Sequence, residues 1–305
     1  VSNLNNLFKK LFSCANCKGG QMDLNKIHQG HALNILKTFP DASVNMCITS
    51  PPYWGLRDYK TDSVKWDDGW LGELGTESDV NAYINHLCDI FDEVKRVLKD
   101  DGTCWVNIGD TYHNKNLCLI PFCFALEMSN RGWIVRNVII WQKPNATPQS
   151  AKDRFTVDFE YLLFFSKNKK YYFEQQFEPF QNSTLQRGKR KFSENKSHFY
   201  QGYGRLQQQK FHQKVLNESL PGRNMRTVWN IPTKSYHGAH FAVFPPDLIE
   251  IPVKSGCPKD GIVLDPFIGS GTTAIVANKL NRRWLGIELN SEYIKLAEHR
   301  ISQNT

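Results

Sequence analysis

The chain predicts an α/β fold built on a mostly parallel sheet. Three observations carry that expectation. Short apolar runs of strand length alternate with amphipathic segments of helix length. Two of those runs end in special turns, Ser50-Pro51-Pro52-Tyr53 and Asp265-Pro266-Phe267-Ile268-Gly269-Ser270-Gly271-Thr272. The alternation is interrupted once, by a long basic stretch with little periodicity.

The elements follow in order. Residues 1–20 form a polar, Lys-rich arm in which Leu4, Leu7, Phe8, Leu11 and Phe12 fit one amphipathic helix. Residues 27–30 read as a short strand ending at Gly30, and 32–39 as a brief helix stopped by Pro40. Residues 44–49 are the strand before the Pro-Pro turn. Val80, Ile84, Leu87, Phe91, Val94 and Leu98 recur every three or four residues, a strong amphipathic helix that Asp100-Asp101-Gly102 ends. A strand over 103–108, a helix over 117–129, a strand over 133–141 and a strand over 161–166 come next. Pro144 and Pro148 mark the loop between the last two.

Composition changes near Lys167. From there to Lys234 the chain carries 14 Lys plus Arg against 4 Asp plus Glu, a net of +10. The whole chain is +8, so the remainder is close to −2. A basic segment set into a near-neutral body points to a polyanionic partner. About seventy residues without regular structure are unusual inside a compact domain, which favours an inserted recognition module. Arg187, Lys189, Arg190, Lys191, Arg205 and Arg223 are its candidate nucleic-acid contacts. After it the α/β pattern returns, with a helix over 246–255, a strand over 261–264, a helix over 272–280, a strand over 284–289 and a helix over 291–301. Four regions result: an N-terminal arm (1–20), a first half-domain (21–167), the recognition region (168–236) and a second half-domain (237–305).

Bulk properties narrow the class. No apolar run approaches the length of a membrane span, and the N-terminus lacks the pattern of a secretion signal. Eight scattered cysteines suggest reduced thiols in a cytoplasm rather than a disulfide framework. Cys14 and Cys17 form a lone CxxC with no second pair at suitable spacing, so no metal site is expected.

The second turn suits a nucleoside cofactor. Gly269 and Gly271 lack Cβ atoms, so backbone can approach a ligand closely. The helix after them offers unpaired N–H groups to an anion. Glu288 ends the next strand, 17 residues beyond Gly271, where an acid can accept hydrogen bonds from two ribose hydroxyls. Both special turns leave strand ends, where ligands lie in open α/β sheets.

Together the two phrases resemble those of the amino-directed DNA methyltransferases that use S-adenosylmethionine. The Pro-Pro phrase comes about 215 residues before the Gly-rich phrase, which resembles the permuted "beta" arrangement of that family. Leu71-Gly72-Glu73-Leu74-Gly75, Trp105-Val106-Asn107-Ile108-Gly109-Asp110, Ile139-Ile140-Trp141-Gln142-Lys143-Pro144 and Phe159-Glu160-Tyr161 are similar to further phrases of prokaryotic and phage site-specific members. The likeness covers about residues 27–175 and 225–300.

The resemblance implies a Rossmann-like class I methyltransferase sheet, circularly permuted, with an inserted DNA-recognition region. It implies a cofactor site at Asp265, Pro266, Phe267, Gly269, Ser270, Gly271, Thr272 and Glu288. His240 and Phe244 belong to a segment similar to one that closes the methionine end. Ile27-His28-Gln29-Gly30 resembles the start of another family segment, but His31 stands where the family usually has an acid near the cofactor adenine.

Ser50, Pro51, Pro52 and Tyr53 are the catalytic set that the resemblance implies. A Ser50 side-chain oxygen and the Pro51 carbonyl can accept the two N–H bonds of an exocyclic amine, favouring a pyramidal nitrogen and the charge that develops on methylation. Tyr53 can stack on a flipped base. A serine before Pro-Pro-Tyr goes mostly with cytosine N4 in that family, an aspartate mostly with adenine N6. The expected activity is cytosine-N4 methylation of double-stranded DNA, with adenine N6 as the alternative and a DNA-binding relative without catalysis as a third reading. Carbon-5 methylation needs a Cys nucleophile, usually after a Pro, and the chain has no Pro-Cys pair. A cytoplasmic, prokaryotic or phage setting and a companion restriction endonuclease are further implications.

Overall fold

The computed structural model describes residues 22–55, 63–183, 186, 221–233 and 244–304. The N-terminal arm, with its amphipathic pattern and Cys14 and Cys17, lies outside the described residues.

Eight strands form the central sheet: β1 (Lys26–Gln29), β2 (Val44–Thr49), β3 (Leu98–Ile108), β4 (Ile134–Gln142), β5 (Phe159–Ser166), β6 (Val228–Asn230), β7 (Ile262–Asp265) and β8 (Arg283–Glu288). Their spatial order is β1-β8-β7-β2-β3-β5-β4-β6. All neighbours run parallel except at β5, which is antiparallel to both β3 and β4. The expected mostly parallel sheet is therefore present. So is the permutation: β2 and β7, far apart in sequence, are hydrogen-bonded neighbours through Val263↔Met46 and Leu264↔Cys47.

Burial on both faces explains why the strands read as near-continuous apolar runs. Met46, Cys47 and Ile48 are all fully buried, although successive residues point to opposite faces. One face packs under α1 (Ala32–Leu36), α2 (Val80–Val97) and α3 (Ile120–Asn130) through Leu36, Tyr83, Phe91, Phe124, Cys47 and Val106. Asp79 caps α2, accepting from the Asn81 and Ala82 amides. Fully burying each such Leu or Phe contributes about 1.5–3 kcal/mol. On the other face lies α4 (Pro246–Gly256): a Cβ added at Gly256 would meet Thr103 Oγ1 at 2.4 Å, Trp105 Nε1 at 2.8 Å and Met46 Sδ at 3.5 Å. The indole of Trp105 stacks on Phe164, with ring centroids 3.9 Å apart. Two further helices among the described residues are α5 (Thr272–Lys279) and α6 (Ser291–Ser302).

Two sequence expectations change. The strand expected from Thr103 begins at Leu98, directly where α2 stops, so Asp100-Asp101-Gly102 lies within β3 rather than before it. The basic stretch is also less uniform than its composition suggests. Residues 227 onward return to the main unit, where Trp229 in β6 pairs with Trp141 of β4. The separate compact unit is Gln175–Arg226. Inside it, Phe177–Glu178 pairs antiparallel with Arg223–Asn224, and Glu178 holds Arg223 at 2.9 Å and Arg226 at 2.7 Å. Arg187, Lys189, Arg190, Lys191 and Arg205 lie outside the described residues.

Gly286 shows how tightly the sheet positions the Gly-rich turn. A Cβ there would lie 2.3 Å from Ile268 Cδ1 and 3.1 Å from its Cβ, so Ile268 and its turn would have to move. Gly286→Ala should therefore lower stability by about 1–3 kcal/mol, as overpacking does. Urea denaturation checks it, and a parent-like midpoint would contradict this packing.

Candidate active site

The site is built where β2, β7 and β8 end. Thr49 is the last residue of β2 and Asp265 the last of β7. Thr49 Oγ1 donates to Asp265 Oδ1 at 2.6 Å, and Thr273 Oγ1, from α5, donates to Asp265 Oδ2 at 2.6 Å. The Phe267 amide donates to Oδ1 at 3.1 Å. Asp265 is wholly buried, and it staples the strand carrying Ser50 to the strand and helix that flank the Gly-rich turn. Its role is thus to hold the turn from beneath.

Gly269 and Gly271 have φ of +49° and +80°, a region favoured by glycine. Among the described residues, a Cβ at Gly269 would have only the Phe267 carbonyl near it, at 3.9 Å, which leaves this backbone approachable by a ligand. At Gly271 a Cβ would press on Ala297 and Ile301 of α6. Glu288 closes the turn: its Oε2 accepts from the Gly269 amide at 3.1 Å and its Oε1 from the Asn290 amide at 2.9 Å. Burial pushes the Glu288 carboxyl above its ordinary value. Each of its oxygens keeps a lone pair for a further donor. Arg300 of α6 donates to the Ser270 hydroxyl and to Thr272 Oγ1, both at 2.8 Å. Pro266 is buried and Phe267 half-buried beside this turn. An open glycine backbone, a carboxylate at the next strand end and a helix start fit a nucleoside with an anionic tail.

His31 precedes α1 in an extended conformation and makes no side-chain cap. Its ring instead sits edge-on to Trp66, with centroids 4.7 Å apart. Burial, with Lys37 nearby, lowers the imidazole to about 4, so the ring is neutral near pH 7. His86 stacks against Trp66 and Trp70, with centroids 4.3 and 4.9 Å away, and its ring nitrogens meet Glu77 Oε1 at 3.0 Å and Asp68 Oδ2 at 3.1 Å. Phe244 is half-buried just before α4, while His240 lies outside the described residues.

The Pro-Pro turn is fixed from several sides. Tyr83 Oη donates to the Pro52 carbonyl at 2.8 Å, and Gly55 N donates to the Gly75 carbonyl at 2.9 Å. Trp54 is buried and donates to the Glu77 carbonyl at 2.9 Å, a packing role. Ser50 is half-buried at the strand end.

Three polar partners of this turn went unassigned in the sequence: Asn107, Glu160 and Lys143. Asn107 is 2% exposed near the end of β3, and its Nδ2 donates to Tyr53 Oη at 2.9 Å and to Glu160 Oε2 at 2.8 Å. Tyr53 Oη donates to Glu160 Oε2 at 2.9 Å. Lys143, just after β4, ion-pairs with Glu160 Oε1. All three lie in phrases already noted as similar to family phrases, Asn107 in 105–110, Lys143 in 139–144 and Glu160 in 159–161, but without a role. Burial and the Glu160 carboxylate push the Tyr53 phenol well above its ordinary value, so it stays protonated. Asn107 Oδ1 is buried with no partner among the described residues.

This geometry agrees with the comparisons. The family model described as DNA methylase, covering N6 and N4 enzymes, matches residues 44–299. The chain belongs to that family. It is 36% identical to the type II methyltransferase M.Cfr9I of Citrobacter freundii, across 90% of this chain and 87% of the relative. It is likewise 36% identical to the type II methyltransferase M.SmaI of Serratia marcescens, across 90% of each. Among solved structures, the protein TTHA0409 of Thermus thermophilus, complexed with S-adenosyl-L-methionine, superposes with a TM-score of 0.60. It is 25% identical to this chain and aligns over 92% of this chain and 93% of its own. The class I α/β sheet and the amino-methyltransferase family read from the two phrases both stand.

Asp265 supplies a pH test. Burial pushes its carboxyl up to about 6 from an ordinary 3.8, against the lowering effect of its three donors. The folded chain then holds this proton more tightly than the unfolded chain does. That contribution to stability is fully present below about pH 4 and is lost as pH rises through about 6. Asp265→Asn should remove this downward slope from a series of urea midpoints between about pH 4 and 7. A slope equal to the parent's would show that Asp265 does not titrate there.

Proposed function

We propose that this DNA methyltransferase transfers a methyl group to the N4 amine of a cytosine flipped out of duplex DNA at a specific sequence, with S-adenosylmethionine as donor. The observation that carries the reading is the Thr49–Asp265 bond, which brings the Ser50 turn and the Gly-rich turn to one edge of the sheet. The cofactor supplies an electrophilic methyl on a sulfonium. Gly269, Gly271 and Glu288 would hold it, Asp265 and Arg300 would brace their turn, and Phe244 and His31 would lie towards its two ends. Ser50 and the Pro51 carbonyl accept the two N–H bonds of the target amine and stabilise its developing charge. Tyr53 stacks on the extruded base, offsetting part of the few kcal/mol that flipping costs.

The serine of the motif supports cytosine over adenine. Ser50→Ala should lower turnover by roughly 10²-fold, as for loss of one preorganised partner, with cofactor affinity little changed. Mass spectrometry of nucleosides from DNA treated with isotopically labelled cofactor identifies the product. Label in N4-methyldeoxycytidine is expected, and label confined to N6-methyldeoxyadenosine would transfer the reading to adenine. Label in neither base, with cofactor bound, would leave a DNA-binding relative.

The compact unit 175–226 and the flanking basic residues are proposed to read the DNA. Neutralising Arg187, Lys189, Arg190 and Lys191 together should weaken DNA binding and flatten its salt dependence by about 0.9 log units per lost phosphate contact. Titration of a duplex at several salt concentrations checks this, and an unchanged slope would remove these residues from the interface. Arg223, held by Glu178, would contribute through a fixed orientation. The reading carries with it a cytoplasmic setting and a companion endonuclease of the same specificity as a functional partner.

A further inference from the structure

Ser50 is a poor proton acceptor, yet a methylated amine must lose a proton. The hydrogen bonds behind Ser50 bear on that problem. A carboxylate without a proton can only accept, so the Tyr53 hydroxyl must spend its single proton on Glu160 Oε2, 2.9 Å away. Asn107 Nδ2 can only donate, and it donates to both Tyr53 Oη and Glu160 Oε2. Tyr53 Oη is left as an acceptor towards Ser50. The Ser50 hydroxyl therefore donates to Tyr53 Oη, across 3.4 Å, and turns its lone pairs outward. Hydrogen bonds of this kind are often long before substrate arrives and tighten in the reacting complex.

We infer that Ser50, Tyr53 and Glu160 form a one-way proton relay, with Glu160 as the final acceptor of the proton released by the target amine. The inference rests on the reading of Ser50 as the group that faces that amine. The amine lone pair forms the N–C bond, and the S–C pair of the donor stays on sulfur. One amine N–H bond breaks and its proton passes to Ser50 Oγ, while the Ser50 proton moves to Tyr53 Oη and the Tyr53 proton to Glu160 Oε2. Ser50 and Tyr53 end neutral, as they began, and Glu160 becomes a carboxylic acid that returns its proton to water.

Glu160 is a positioning residue on this account, since it acts through Tyr53 and Ser50. Its supports suit the task. Lys143 pairs with the other carboxylate oxygen and lies over the Trp141 ring, 4.5 Å from its centroid, so Glu160 is held from behind. Gly109 makes room for the phenol at this position, because a Cβ there would lie 2.8 Å from Tyr53 Cε2. The serine motif thereby gains the carboxylate it lacks, at one remove.

The test compares Glu160→Gln, Tyr53→Phe and the double variant with the parent in single-turnover methyl transfer to duplex DNA. Glu160→Gln keeps the shape but cannot take the proton, and Tyr53→Phe cuts the chain one link earlier. Each single change should slow the methyl-transfer step by roughly 10²-fold, the lower range for lost acid–base assistance. Thermal midpoint and affinities for cofactor and DNA should stay within twofold or a few degrees of the parent. Because the links act in series, the double variant should be no more than about threefold slower than the slower single variant. A Glu160→Gln rate within twofold of the parent overturns the relay. So do losses that multiply in the double variant, or slow transfer explained by weakened binding or unfolding. A parent that labels no exocyclic amine would instead overturn the reading of Ser50 itself.

Discussion

The architecture of the site depends on one buried carboxylate. Asp265 accepts from Thr49 on one side and Thr273 on the other, and so ties β2, β7 and α5 into one rigid edge. Nothing else described links the Ser50 turn so directly to the Gly-rich turn. An ion buried without partners is costly, and three donor contacts, two of them at 2.6 Å from the threonines, offset that cost. The glycines and Glu288 can then face a ligand because the structural load is carried beneath them.

The second constraint is the direction of β5. In a purely parallel sheet, the carboxyl edge receives only residues from strand ends. β5 runs the other way, so its first residues reach the same edge that the last residues of β2, β3 and β4 reach. Glu160, second in β5, is thereby set beside Asn107 from the end of β3 and Lys143 from just past β4. Tyr53 inserts its hydroxyl among them. A single antiparallel strand thus delivers a charged, hydrogen-bonded backing to a turn whose own residues are uncharged.

Membership of the DNA methylase family fits both features, since the matched span 44–299 contains Tyr53, Asn107, Lys143, Glu160 and Asp265. The separate unit at Gln175–Arg226 enters the chain after β5 and leaves it before β6. The main sheet is therefore complete without it.

Much of this protein was determined locally. Apolar runs, the 3.6-residue pattern of α2 and the Gly and Pro stops specified most elements to within a few residues, because burial and turn chemistry act on neighbours in sequence. The two signature turns were legible for the same reason: a Pro-Pro pair and a left-handed glycine are written in the residues themselves. What only the tertiary structure decided were the pairings between distant positions. Thr49 with Asp265, Glu160 with Tyr53, and His31 on Trp66 rather than capping its helix all depend on strand order and direction, which periodicity does not encode. The basic stretch misled in part, since composition marked residues 227–233 as part of an insertion when Trp229 belongs to the sheet's edge. A strand of three residues is too short to show a pattern, and only its neighbour β4 makes it a strand.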